Sequence, residues 1–266
     1  MSLPTPPVSP RFPRWGWIAV LTLMPLAAVH PTMAEEPATA EAPAADEVPA
    51  EANDAAAPTL EEALATFDAE VRSLRSTFLK EHGDPEDPDW VKRKLAHMVE
   101  VDQYMRTYSR LPHEHGYDDA QQEAFREVFM TRWSLIDAQH TETLKMLLSI
   151  HGWFTIGKFG EQADKDGWLL VQHADLDPDF QRRVLGMLEK LLPSGETRKR
   201  SYAYLYDRVA VADNRPQRFG TQGRCVSKGT WEPREMEEPE RIDAIRAEVD
   251  LGPMAEYIER FVDICP

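Results

Sequence analysis

The sequence predicts a mainly α-helical protein, a multi-helix domain with one small β-hairpin near the C-terminus. Three observations carry this expectation. Apolar residues recur at three- and four-residue steps through most of residues 59–213. Capping residues and Gly or Pro stops bracket the periodic stretches. Only around Ser227-Lys228-Gly229 does the pattern change, to two short runs flanking a glycine turn.

Taken in order, Thr59 and Glu62 form a capping box for a first helix. Its apolar stripe is Leu60, Leu64, Phe67, Val71, Leu74 and Phe78, and Gly83 is its stop. A second helix is expected over about 88–108 and a long one over about 118–150, ended by Gly152. A shorter one covers about 161–174. Asp177 before Pro178 is an N-cap with proline at the first helical position, opening a helix that reaches Leu192. Residues 198–213 continue the pattern until Pro216. Strands are expected over 218–226 and 230–236, then two helical stretches over about 239–249 and 253–263.

The helical domain is assigned to residues 59–266. Upstream, Arg11 and Arg14 precede an apolar run from Trp15 to Val29, then Thr32-Met33-Ala34. This is the three-part pattern of a signal peptide over residues 1–34. The run is broken by Pro25 and falls short of the roughly 20 residues that span a bilayer. Residues 35–58 contain ten Ala, seven acids and four Pro, so they have nothing to pack and read as a disordered tether. The mature chain is expected in the periplasm or secreted, with no membrane span. Cys225 and Cys265 are the only cysteines. In an oxidising compartment they would form a structural disulfide, stabilising by about 4 kcal/mol through restriction of the unfolded chain.

Charge narrows the function. The chain carries 46 Asp and Glu against 30 Lys and Arg, a net charge of −16. Setting aside the two arginines of 1–34 and the seven acids of 35–58 leaves 39 acids against 28 bases, or −11, for the domain. That balance disfavours nucleic acid and an anionic membrane surface as partners. No P-loop, dinucleotide glycine fingerprint, HExxH or GxSxG occurs. His113-Glu114-His115 lies in an expected loop without a nearby third ligand, so no metal site is assigned, and no cofactor is indicated.

The informative residues are polar groups on apolar faces. Asp102 shares a helical arc with Val91, Leu95, Met98 and Met105, where a core residue is expected. A buried carboxylate requires a partner, and Arg106 is one turn away. In the long helix, Asp137 and His140 fall on the face of Phe125, Phe129, Trp133, Ile136, Leu144 and Leu147. Three residues apart, they are surface neighbours that could orient an imidazole or bind a ligand. His151 is expected to meet the last carbonyls of that helix. Trp168 to Val171 is apolar all round, and Gln172-His173-Ala174-Asp175 follows at once. Asp207 with Arg208 offers another charge pair. Gln217, Gly220, Thr221 and Gln222 lead into the hairpin, with Gly permitting close approach of the backbone.

Asp102-Gln103 with Arg106, Asp137, His151-Gly152-Trp153, Trp168 with Gln172-His173-Ala174-Asp175, Asp207-Arg208, and Gln217 with Gly220-Thr221-Gln222 together resemble a bacterial domain family of unknown function. The resemblance covers about residues 92–263. It implies a shared, mainly helical fold and no particular activity. His140 and Phe219 stand where that family's pattern implies Asn and Tyr.

Three functions compete. A binding module of the cell envelope, taking a small molecule or an envelope protein at a pocket of these residues or on its acidic surface, demands the fewest steps and is preferred. Asp137, His140, Gln172, Asp207, Gln217, Thr221 and Gln222 would contribute to it. The alternative is a small-molecule hydrolase or lyase. There His173 is general base, Asp175 or Asp102 orients it, Arg208 clamps an anion and Gln222 donates hydrogen bonds. In the third, the polar set only orders the helices.

Overall fold

The structure, a computed structural model, describes residues 57–79 and 83–265. The expected signal segment, all but the last two residues of the tether, and residues 80–82 before Gly83 lie outside the described residues. Helix α1 spans Leu60–Leu79, α2 Pro88–Tyr108, α3 Leu111–Glu114, α4 Asp119–His151, α5 Ile156–Phe159, α6 Glu161–Gln172, α7 Pro178–Leu191 and α8 Lys199–Ala212. Strands β1 (Gly223–Ser227) and β2 (Thr230–Pro233) follow, then α9 (Ile242–Ala247) and α10 (Met254–Glu259).

The helix starts are built by their caps. Glu62 Oε2 accepts the Thr59 backbone N–H at 2.8 Å, and Thr59 Oγ1 accepts the Glu62 N–H at 3.3 Å. Asp87 caps α2 by accepting from the Asp89 and Trp90 N–H groups, with Pro88 at the first helical position. Asp118 and Gln121 make a reciprocal capping box for α4, whose far end turns at Gly152 with φ 70°. Asp177 accepts the Phe180 N–H at 2.9 Å. Each such cap contributes about 1 kcal/mol.

Two apolar clusters organise these helices. The larger gathers Val91, Leu95 and Met98 of α2, Leu144 and Leu147 of α4, α6, α7 and α8, and the C-terminal aromatics. The smaller joins Ala63, Leu64, Phe67 and Val71 of α1 to Val101 and Met105 of α2 and to Phe125, Phe129, Trp133 and Ile136 of α4. Helices α2 and α4 therefore belong to both. Trp168, Leu170 and Val171 of α6 are all buried, as a helix apolar on every side requires.

The hairpin is shorter than its sequence pattern suggests. β1 and β2 pair antiparallel with Cys225 opposite Trp231 and Gly223 opposite Pro233. Residues 218–221 are drawn away instead, because Asp207 collects the backbone N–H groups of Arg218, Phe219 and Thr221. A Cβ at Gly223 would lie 2.1 Å from the Trp231 ring and 2.4 Å from the Glu232 carbonyl oxygen, so the strand can begin there only with glycine. A disulfide joins Cys225 to Cys265, and the Gly229 N–H donates to the Cys265 carbonyl at 3.0 Å. This fastens the hairpin tip to the chain end.

Other differences are local. α3 and α5 are single turns absent from the periodic reading, too short to show a stripe. The terminal helical stretches are also briefer than expected. Asp250 turns the chain at φ 59°, and Gly252 and Pro253 follow before α10.

Candidate functional site: a buried carboxylate–imidazole pair

Asp102 occupies a core position of α2 and is 0% exposed. Its carboxylate receives His173 Nδ1, 2.9 and 3.0 Å from the two oxygens. Arg106 adds Nε and Nη2, each at 3.2 Å, and Gln103 adds Nε2 at 2.8 Å. The carboxylate that α2 places among methionines is thereby saturated from three sides. His173 is the C-cap of α6, where the helix turns toward α7, and its ring is 8% exposed. No group among the described residues bonds its Nε2.

Burial raises the carboxyl of Asp102, but the His173 ring and the Arg106 guanidinium outweigh that and hold it well below the usual carboxylate range. Burial also holds the His173 imidazole below its ordinary value, against the pull of Asp102. The carboxylate can only accept, so Nδ1 carries the ring proton in this contact, and in the neutral ring Nε2 holds the lone pair. Arg106 also lies over the Trp133 ring, 4.9 Å from its centroid, which fixes the guanidinium from the far side.

Asp137, on α4, faces the same cluster. Burial and the neighbouring Asp102 carboxylate push it up to about 8, while Arg106 and a Trp133 hydrogen bond act in the opposite sense. It is therefore largely a neutral acid at pH 7. Asp175, just past α6, pairs with Arg208 of α8 through contacts of 2.7 and 2.9 Å. Gln181 Nε2 lies within reach of the Val171 and Gln172 carbonyls and of Asp175 Oδ1, at 3.1 to 3.2 Å, bracing the turn that carries His173. Two carboxylates and two guanidiniums balance, so the cluster bears no net charge beside a neutral base and a neutral acid. Gln172 Oε1 and Arg208 Nε are buried without partners among the described residues, leaving polar capacity unspent at its edge.

The remaining sequence candidates lie elsewhere. His140 lines a separate cavity between α1, α2 and α4. Asp207 and Thr221 shape the loop before the hairpin. Gln217 exchanges hydrogen bonds with the Gln222 backbone, both at 2.8 Å, while the Gln222 side chain donates to Thr221 Oγ1. These four residues form one backbone-supporting network. His151 does not serve its own helix end. Its Nε2 donates to the Pro85 carbonyl at 2.7 Å, tying α4 to the turn before α2.

Several buried polar residues escape the sequence reading, among them Gln181, Asp164 and Arg246. Gln181 follows Phe180 on the face continued by Val184 and Leu188. Asp164 accepts from Trp153 Nε1, Thr197 Oγ1 and the Arg198 N–H. Arg246, flanked by the buried Ile245 and Val249, donates to the Phe219 and Gly252 carbonyls. A polar residue interrupting an apolar stripe is the signal in each. Among the described residues no three His, Cys, Asp or Glu side chains converge as a metal set.

The class is therefore a mainly helical domain with a disulfide-anchored hairpin and a buried Asp–His–Arg centre. The chain belongs to DUF6624, a family of unknown function, matched over residues 88–265. No curated protein and no solved structure matches it. The matched segment contains the whole polar cluster and leaves out α1. Among the described residues no helix is long and apolar enough to cross a membrane.

Proposed function

We propose that the domain is an acid–base enzyme of the hydrolase or lyase kind, acting on a small polar substrate at the face of α2, α4, α6 and α8. The observation that carries this reading is the His173 imidazole held through Nδ1 on the Asp102 carboxylate, at 2.9 and 3.0 Å, with Nε2 left unbonded among the described residues. His173, oriented through Nδ1, keeps the Nε2 lone pair for a substrate or water proton. Asp137, next to Asp102 and Arg106, retains a proton that a leaving group could take. Asp102 positions the ring and stabilises the imidazolium that forms. A site of balanced charge suits a neutral or zwitterionic substrate better than a strong anion, so Arg208 acts through Asp175 rather than as a free clamp. We also take the protein to work outside the cytoplasm, which the Cys225–Cys265 disulfide and the apolar run of residues 15–29 support.

The test is a screen of the full chain against small esters, amides, lactams and hydroxy acids. Turnover should disappear in His173→Gln and in Asp137→Asn while the fold survives. A rate that withstands both substitutions overturns the proposal. A binding module remains the second reading, favoured by how little of His173 is exposed. Saturable binding without turnover, unchanged by His173→Gln, is its signature.

A further inference from the structure

The cavity between α1, α2 and α4 has a composition at odds with the rest of the molecule. In a chain of net charge −16, no carboxylate lines it among the described residues. Its polar wall is built from Arg75 of α1, Lys94 and His97 of α2, and Gln139 and His140 of α4. Lys94 is more than half buried, and burial together with Arg75 lowers its affinity for its proton. The Lys94 ammonium lies 4.9 Å from the centroid of the Phe78 ring and has no ion pair among the described residues. Two cations of like sign facing one small space are mutually destabilising unless an anion sits between them.

The neutral groups agree. Burial holds the His140 ring down to about 4, and its Nδ1 is buried without any partner among the described residues. His97 is stacked on Phe78 with 5.0 Å between ring centres, and Glu100, 3.7 Å from its ring nitrogen, stands outside the lining. Phe78, Met98 and Val101 give the cavity an apolar wall. Its 60 Å³ accommodates about four or five water-sized groups. That is the bulk of a short aliphatic acid.

We propose that this cavity binds a short aliphatic monocarboxylate, its oxygens between Arg75 and Lys94 with His140 Nδ1 as a further contact, and its tail against Phe78, Met98 and Val101. Arg75 and Phe78 come from α1, outside the matched family segment, so the site is completed by this chain's own first helix. It is distinct from the centre at His173 and does not depend on catalysis there.

The experiment is a titration of the full chain with propionate, and separately with inorganic phosphate, at constant ionic strength, followed by the imidazole NMR signals of His97 and His140. Propionate should move both signals saturably. Lys94→Gln and Arg75→Gln should each weaken binding about tenfold or more, the loss expected for one charge-assisted hydrogen bond. His173→Gln should leave binding unchanged. If Arg75→Gln loosens α1, Lys94→Met decides, since it retains the packing on Phe78. No saturable shift with propionate overturns the proposal, as does propionate binding insensitive to Lys94→Gln and Lys94→Met. Saturation by phosphate alone overturns the assignment to a carboxylate.

Discussion

Thr221 gives both its backbone N–H and its hydroxyl to the same oxygen of Asp207, at 2.8 and 2.9 Å. The other oxygen takes the N–H groups of Arg218 and Phe219, at 2.8 and 3.0 Å. Four donors thus replace water around a carboxylate that is fully buried. Burial still raises its carboxyl, with the backbone donors of Phe219 and Thr221 working against that. Asp207→Ala should leave three backbone donors unsatisfied and destabilise the domain by about 3 kcal/mol or more. Urea denaturation measures the loss, and hydrogen exchange at residues 218, 219 and 221 should accelerate before other amides.

Asp102→Asn should be more damaging than His173→Gln. Removing the carboxylate strands the Arg106 guanidinium and the His173 N–H together, for about 3 to 5 kcal/mol. Removing the imidazole leaves Asp102 its Arg106 and Gln103 contacts. Chemical denaturation of both variants checks the order. In the native protein, nitrogen NMR should find the His173 proton on Nδ1.

Acid should weaken the fold through this pair. The folded carboxyl of Asp102 and the folded imidazole of His173 both lie below their unfolded values. The His173 contribution is present above about pH 6.5 and declines as pH falls below it. The Asp102 contribution is present above about pH 4 and is lost as pH falls further. His173→Gln should flatten the first decline, visible in melting temperatures recorded from pH 7 to pH 5.

Asp137 should act with the opposite sign. Its folded value of about 8 stands above the unfolded 3.8, so the folded state holds the extra proton between them. Its contribution is complete below the unfolded value and is lost as pH rises to about 8, at no more than about 1.4 kcal/mol per pH unit. Asp137→Asn should therefore stabilise the protein increasingly from pH 5 to pH 8. Enzyme activity, if carried as proposed, should vanish in the same variant.

Reduction of Cys225–Cys265 should lower stability by about 2 to 4 kcal/mol. Denaturation with and without reductant gives the difference. The pair Cys225→Ala and Cys265→Ala should reproduce it.

Thr59 with Glu62 marks the start of α1, Gly152 the end of α4 and Asp177-Pro178 the start of α7, because those signals are local and obey backbone geometry. Asp102, Asp137 and His173 stood out because each interrupts an apolar surface. Which polar groups would meet was not legible. The sequence left Asp102 and Asp175 as alternative partners for His173, and only the packing of α2 against α6 and of α7 against α8 sorts them, bringing Asp102 to His173 and Asp175 to Arg208. The hairpin's length was misjudged for a related reason. A β-type run could not reveal that Asp207, in another helix, would take the N–H groups a longer strand would need.

The division of the interior into two clusters gives α4 a mechanical character. At 33 residues it is about 50 Å long, a single rod that serves the aromatic cluster under α1 at one end and the larger cluster at the other. Opening at the α1 end need not dissolve the far end. Native-state exchange should then resolve two cooperative units, with α1 and the first turns of α4 opening before α6 and α8. The carboxylate cavity lies against α1, in the unit that opens first, and the Asp102–His173 pair draws His173 from α6, in the unit that opens last. A ligand held against Arg75 would slow the opening of the first unit and leave the rigidity of the second almost untouched.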